Sequence, residues 1–221
     1  KNKKLILNSR VESLNFLRKK IIENDIKIKS IISASGIGAY PSSSEKEFDE
    51  SETERSSYFL SDVIKQWEKA AISFENIIEN VSIVRIGLVL SKNGGVLKQT
   101  MLPMTFGFGV YFGNGSQWQS WIHVEDISRI FLHINENGLA GVYNGVAPTP
   151  LSNFHLTKMV SKIRKGVFIL IPLPRFLFRI IFGEMHTILF KNQKVSSKKI
   201  ESKGFKFNFS NLEDTLKNIL Q

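Results

Sequence analysis

The chain contains no cysteine. That single absence excludes disulfides, thiolate metal ligands and cysteine nucleophiles, and it suits a reducing compartment. Histidine is scarce, with four scattered residues, so a metal centre is disfavoured and no metal ligand is assigned. Long uninterrupted apolar runs are missing as well. The most apolar stretch, GVFILIPLPRFLFRIIFG from Gly166 to Gly183, is broken by Pro172, Pro174, Arg175 and Arg179. A membrane span needs about 20 nearly uncharged residues, so this stretch reads as a buried strand followed by an amphipathic helix, and no membrane partner is expected. The N-terminal KNKKLILNSRVESLNFLRKKIIEND is basic but returns to charge every few residues, unlike a secretory leader. The expected location is cytoplasmic.

What is present is the composition of a globular protein: 221 residues, 42% of them hydrophobic, enough for one domain or one domain with a small appendage. The net charge is +10, which raises the question of a polyanionic partner. The lysines, however, are spread along the chain, and the local runs Arg18 to Lys20 and Lys198 to Lys199 are short. A lysine-rich solvated surface explains the charge better than nucleic-acid binding.

Periodicity organises the N-terminal half. Leu5, Leu7, Val11, Leu14, Leu17, Ile21 and Ile22 recur near helical spacing and predict an amphipathic helix with a basic outer face. IKIKSIISAS, Ile26 to Ser35, alternates and then becomes wholly apolar, as a strand buried in a parallel sheet does. The polar, acidic SSSEKEFDESETERSS reads as a loop. Tyr58 to Ile78 predicts a second helix, and VSIVRIGLVL, rich in β-branched residues, a second buried strand. Helix, strand, helix, strand is the order of a right-handedly wound α/β sheet. Beyond Leu90 a loop and a Gly-rich aromatic segment lead into a helix near Glu125. GVYNG suggests a short strand, Leu151 to Ile163 a helix, and Ser197 to Leu220 two short helices around GFKFNF.

Residues 30 to 43, SIISASGIGAYPSS, raise a chemical question. A phosphate-cradling loop needs glycines at a tight turn and a helix that begins at once. Only Gly36 and Gly38 are offered here, and Pro41 with a run of Ser, Glu and Asp follows. The hydroxyls at the strand end are therefore the more interesting atoms. Arg85, at the head of a buried strand, requires a carboxylate partner.

Seven segments in one order, NSRVES, SASGIGAYP, WEKAA, VRIGLVLSKNGGVLKQTMLP, GNGSQWQSWIHVEDI, GVYNGVAPTPLSN and KNQKVSSKKIESKGFKFNF, resemble the atypical short-chain dehydrogenase/reductases of the NAD(P)-dependent epimerase family. That family is similar to the sugar-nucleotide epimerases and ends in a small characteristic C-terminal domain. The resemblance covers essentially the whole chain. It implies a partial Rossmann-like parallel sheet with helices on both faces, spanning residues 1–150, and a small α-rich C-terminal subdomain over 151–221. It further implies that the strand and glycine-rich turn that hold the dinucleotide pyrophosphate precede Lys1 and are not in this chain, which would leave a sheet edge unpaired.

From the resemblance, Ser35 is the expected catalytic hydroxyl, at a strand end that opens into the ligand crevice. The alternative from its own chemistry is that Ser33 and Ser35 only cap the turn around Gly36. Arg10 is the expected contact to a cofactor phosphate or ribose, and a solvated cation is its alternative. Val89 corresponds to a residue against the nicotinamide end, although by itself it is a strand valine. The tyrosine and lysine four apart that usually accompany such a serine do not match: Tyr58 is followed by Asp62, and a carboxylate there opposes a phenolate. Gln117, Trp118, Trp121 and His123 are implied to border the substrate cleft, whereas His123, Glu125 and Asp126 also read as helix-start residues. The expected cofactor is NADP or NAD and the expected partner a small-molecule substrate. Three functions stay open: a nicotinamide-dependent oxidoreductase or epimerase-like enzyme, a non-catalytic dinucleotide-binding or assembly protein, and an inactive fragment.

Overall fold

The structure is a computed structural model that describes residues 2–54, 56, 58–92, 94–174, 176 and 190–221. Three parallel strands form its centre: β1 (Ser30–Gly36), β3 (Asn80–Ile86) and β8 (Gly141–Gly145), in the order β1-β3-β8. Ser35 is in register with Arg85, and Arg85 with Asn144. The short β2 (Glu47–Phe48) lies in the acidic segment expected to be a loop.

The two-residue period of the strands decides what covers each face. Ile31 and Val81 point to one side, where they pack with Leu14 and Ile21 of α1 (Asn2–Glu23) and with Phe74 and Ile78 after α2 (Phe59–Ile72). Ile32, Val84 and Ile86 point to the other, against Ile127, Ile130 and Ile134 of α4 (Val124–Glu136). The sheet therefore has helices on both faces, as a parallel sheet with buried strands requires. The first helix is less amphipathic in fact than its spacing predicts. Leu5, Phe16, Leu17 and Ile22 are exposed, because only Leu14 and Ile21 meet the seam over Phe74.

VSIVRIGLVL is not one strand but two. At Gly87 the chain leaves the central sheet and continues as β4 (Leu88–Ser91), which pairs with β7 (Trp121–His123). The Gly87 N–H donates to Gly145 O at 3.0 Å, and the next N–H, of Leu88, donates to Ser120 O at 2.8 Å. A Cβ at Gly87 would lie 2.5 Å from Ser120 O and 2.7 Å from Val146 Cγ1, so only glycine fits the crossing.

The Gly-rich aromatic segment is more regular than expected. It holds α3 (Gly95–Met101), β5 (Phe108–Phe112) and β6 (Trp118–Gln119). β6 pairs with β9 (Leu151–Ser152), which leads into α5 (Asn153–Ile163). β5 pairs with β10 (Ile169–Leu173), the expected strand of the apolar stretch; Ile169 is exposed, so that strand is not buried. The helix expected after it lies outside the described residues. Among the described residues no helix is long and apolar enough to cross a membrane.

Past the described part of that segment, β11 (Lys194–Val195) pairs with β2, and α6 (Lys198–Ser202) and α7 (Leu212–Leu220) follow. Leu216 and Ile219 of α7 share one core with Leu90, Leu97, Trp121 and Leu156, so apolar packing runs continuously across position 150. Asp126, fully buried on α4, accepts from the backbone N–H groups of Asn208 (3.1 Å) and Phe209 (2.8 Å) and ties the C-terminal segment to the sheet layer.

Candidate functional site

β1 and β3 both end at one side of the sheet, at Gly36 and Ile86, and the chain after each moves apart from the other. Such strand ends open a crevice in parallel α/β sheets. Here it is a cleft of about 270 Å³. It is lined by Gly36 and Gly38, with Ile64 of α2 beside both, and by Gly87, Trp118 and Lys191 among others.

Below the cleft runs a buried polar chain. Glu68, from α2, faces the sheet because it falls in helical phase with Ser61 and Ala71, both buried. Its carboxylate accepts from Arg85 Nε and Arg85 Nη2, each at 2.8 Å, and from Ser35 Oγ at 2.8 Å. Arg85 Nη1 donates to the Tyr40 hydroxyl at 3.0 Å, which donates in turn to Asn144 Oδ1 at 2.8 Å. Burial works against the Arg85 charge, but the bonds and charge of Glu68 and the contact with Tyr40 more than offset it and hold its proton more tightly than usual. Burial pushes the Tyr40 phenol up, against the opposing pull of Arg85, so it stays a neutral donor.

The turn at the cleft floor, a 3-10 segment over Ile37–Ala39, is clamped from the C-terminal part of the chain. Gln193 Nε2 donates to Ile37 O at 3.0 Å and to Tyr40 O at 2.9 Å. Lys191 is 7% exposed. Its ammonium donates to Ser56 Oγ at 3.1 Å and stands 4.6 Å from the centre of the Tyr58 ring. Burial pulls its pKa down. Gln119 also borders the cleft, and its Oε1 is buried without a hydrogen-bond partner among the described residues.

The protein resembles known chains in both sequence and shape. It is 34% identical over 223 residues to the epimerase family protein SH2119 of Staphylococcus haemolyticus, covering 99% of this chain and 73% of that one. The chain belongs to the epimerase family. Residues 173–219 of this epimerase-family chain match a domain of unknown function, DUF1731. The human epimerase family protein SDR39U1 (isoform 2), solved with NADPH, superposes with a TM-score of 0.87 at 30% identity over 98% of this chain and 74% of that one. The nucleoside-diphosphate sugar epimerase of Corynebacterium glutamicum gives a TM-score of 0.77 at 25% identity, covering 99% of this chain and 43% of the other. The Rossmann-like α/β fold expected from the sequence is thereby established.

The epimerase-family chain places its three sequence-derived site residues apart. Ser35 is at the strand end, one residue before the cleft wall, but it is 5% exposed and its hydroxyl is committed to Glu68. Arg10 lies on α1, where Nη1 donates to Ile6 O at 2.8 Å and to Ser9 Oγ at 3.1 Å, with the guanidinium 5.4 Å from the Trp67 ring centre. Val89 pairs with Ile122 and packs in the core under α4, while its neighbour Leu88 borders the cleft. Of the aromatic cluster, Trp118 reaches the cleft; Trp121 is buried with Nε1 donating to Thr149 O at 2.8 Å. His123 starts α4, its Nδ1 accepting from the Glu125 N–H at 3.1 Å.

Sequence reasoning missed Glu68, Lys191 and Gln193. A signal existed for Glu68, an acid in the apolar phase of its helix on a chain where Arg85 wanted a carboxylate. Lys191 and Gln193 come from a segment far along the chain and carried no local pattern.

Proposed function

We propose that this chain is an NAD(P)-dependent oxidoreductase or epimerase-like protein whose cleft at the β1 and β3 ends receives the nicotinamide end of the dinucleotide and a small substrate. The cleft itself carries this reading. It is mostly apolar, it sits where parallel α/β sheets hold ligands, and it is just below the usual size for a whole drug-sized ligand, so it suits a ring rather than an entire dinucleotide. The NADPH in the human relative's structure supports the same assignment.

In this reading Gly36 and Gly38 let a flat ring approach the backbone, and Trp118 and Ile64 exclude water from it. A bound nicotinamide would supply or remove a hydride. Arg10 and Val89 enter as outer contacts to the cofactor, and Ser35, whose hydroxyl is bonded to Glu68, supports the reacting end from behind the cleft lining.

Titration with NADPH tests the proposal through quenching of tryptophan fluorescence, since Trp118 borders the cleft. Saturable quenching that a Gly38→Val exchange removes is the expected result. Gly38 has Ile64 Cδ1 3.0 Å from where a Cβ would stand, so a larger side chain narrows the cleft. Quenching unchanged in that variant would place the dinucleotide elsewhere.

A specific observation favours a second reading, a dinucleotide-binding protein without turnover: the residue four after Tyr58 is Asp62 rather than a lysine. Tight NADPH binding with no oxidation of the cofactor over a panel of carbonyl compounds would select it.

A further inference from the structure

The cleft draws much of its lining from two stretches far apart in the chain, residues 36–38 after β1 and residues 118–120. Both are bonded to one short segment that belongs to neither. Residues 191–195 lie inside the 173–219 match to the domain of unknown function. Toward the first stretch, Gln193 Nε2 donates to Ile37 O and Tyr40 O, the Asn192 N–H donates to Ser42 Oγ at 2.9 Å, and Asn192 O accepts from the Ser43 N–H at 2.9 Å. Toward the second, Asn192 Oδ1 accepts from the Trp118 N–H at 3.0 Å and the Gln193 N–H donates to Trp118 O at 3.1 Å. Ser120 Oγ accepts from the Val195 N–H at 2.8 Å and donates to Gln193 O at 2.9 Å.

Gln193 and Ser120 are buried. A buried polar group that loses its partner costs its full desolvation, so these bonds hold together or fail together. Adjacent residues that bond two separate stretches at once fix the distance between them. The segment is in turn anchored away from the cleft, where β11 pairs with β2 and the Ser196 N–H donates to Phe48 O at 2.9 Å. Asn192 does not line the cleft. Whatever it does for a ligand, it does through the segments it bonds.

We propose that Asn192 and Gln193 are positioning residues of the cleft: their segment bonds residues 37–43 to residues 118–120 and sets the spacing that a ligand meets. This gives the region that matches the domain of unknown function a task in this chain, which is to hold the ligand site in shape. For its ligand the inference rests on the nicotinamide reading of the same cleft. A ligand that needs the set spacing must also hold the segment in place, because coupling between two equilibria is reciprocal.

Asn192→Ala removes the acceptor for the Trp118 N–H from outside the cleft lining, and Asn192→Asp keeps one. The midpoint of NADPH quenching should rise about tenfold in Asn192→Ala, the worth of roughly one buried hydrogen bond, and return toward the parent in Asn192→Asp. Hydrogen exchange read by mass spectrometry, with no ligand added, gives a second measure. Asn192→Ala and Gln193→Ala should each quicken exchange in both 37–43 and 118–120, including the stretch whose bonds the substitution leaves in place. Exchange in α7, part of the same matched region but not of the cleft lining, should keep the parent rate. Ser42→Ala, at an exposed residue, removes only the acceptor for the Asn192 N–H and carries the exchange test if an alanine at 192 or 193 prevents folding. Quickening confined to one stretch, or spread evenly through α7, overturns the proposal. Parent quenching with an unchanged midpoint in the folded alanine variants defeats the positioning role alone. The exchange pattern without any NADPH quenching by the parent defeats the nicotinamide reading and leaves the positioning role standing.

Discussion

Arg85 and Glu68 meet in a two-pronged ion pair beneath the cleft, Nε to Oε1 and Nη2 to Oε2 both at 2.8 Å, with Arg85 2% exposed. The pair joins a strand to the helix that covers it, and through Tyr40 it reaches the turn that floors the cleft. Removing one member leaves the other buried and unpaired, which is far worse than never having built the pair.

Glu68→Ala should therefore lower stability by about 3–5 kcal/mol, the range for breaking a buried pair. Glu68→Gln keeps an acceptor oxygen for one prong and should lose less. Replacing both members with apolar residues, Glu68→Leu with Arg85→Met, should recover much of the loss of the single alanine variant. Urea unfolding measures all three. A loss below about 1 kcal/mol for Glu68→Ala would mean that the guanidinium finds water or another partner, and that the pair does not organise the cleft floor.

Ser35→Ala separates two roles for one hydroxyl. Loss of a hydrogen bond to a carboxylate costs about 1.5–3 kcal/mol, and the low end is expected because Arg85 still holds both oxygens of Glu68. If the hydroxyl only positions Glu68, the variant is less stable yet binds NADPH as the parent does and turns over any substrate at the parent's rate. That is the outcome its burial favours. Lost turnover in a folded, NADPH-binding variant would instead return Ser35 to the reacting end.

The large elements were legible because each rests on a local pattern. β1 and α2 follow from apolar spacing, the start of α4 from its helix-start residues, and the α/β sheet from the alternation of helix and strand. Three features were not legible, for one physical reason: they depend on contacts between segments distant in sequence. The break of VSIVRIGLVL at Gly87 is set by Ser120 and Val146, which no local window contains. The strand at Phe108–Phe112 exists because Ile169–Leu173 pairs with it. Lys191 meets Ser56 and Tyr58 only after folding. Ser35, at the end of β1 as expected, turned out to face a carboxylate supplied by the helix after it, and that direction is a matter of packing.

Gly87→Ala probes the crossing point directly. Its methyl would meet both a backbone oxygen and a valine, neither at the end of a flexible side chain. Overpacking of this kind typically costs about 1–3 kcal/mol. Because Gly87 borders the cleft, NADPH quenching should weaken together with stability. A fully stable variant would show that the two strands can move apart, and that the cleft is wider in solution than the contact implies.

The pH dependence of stability should carry the signature of His123. It is 4% exposed and its ring stacks on Phe209 with centroids 3.8 Å apart. Burial lowers its pKa from the ordinary 6.5, with the nearby Asp126 and Glu125 opposing. The unfolded chain therefore takes up this proton at a higher pH than the folded one does. Stability from this group is complete above the ordinary histidine value and is lost as pH falls through the lower folded value. Glu50 acts with the opposite sign: burial raises its carboxyl, so its contribution is present at acid pH and is lost as pH rises past the ordinary glutamate value. His123→Asn distinguishes them. Asparagine is a good helix start and can accept from the Glu125 N–H as the imidazole does, so the variant should fold with a lower melting temperature from the lost stacking. Its melting temperature should then stay flat between about pH 7 and pH 5.5, where the parent declines. An unchanged decline in the variant would assign the acid limb to another group.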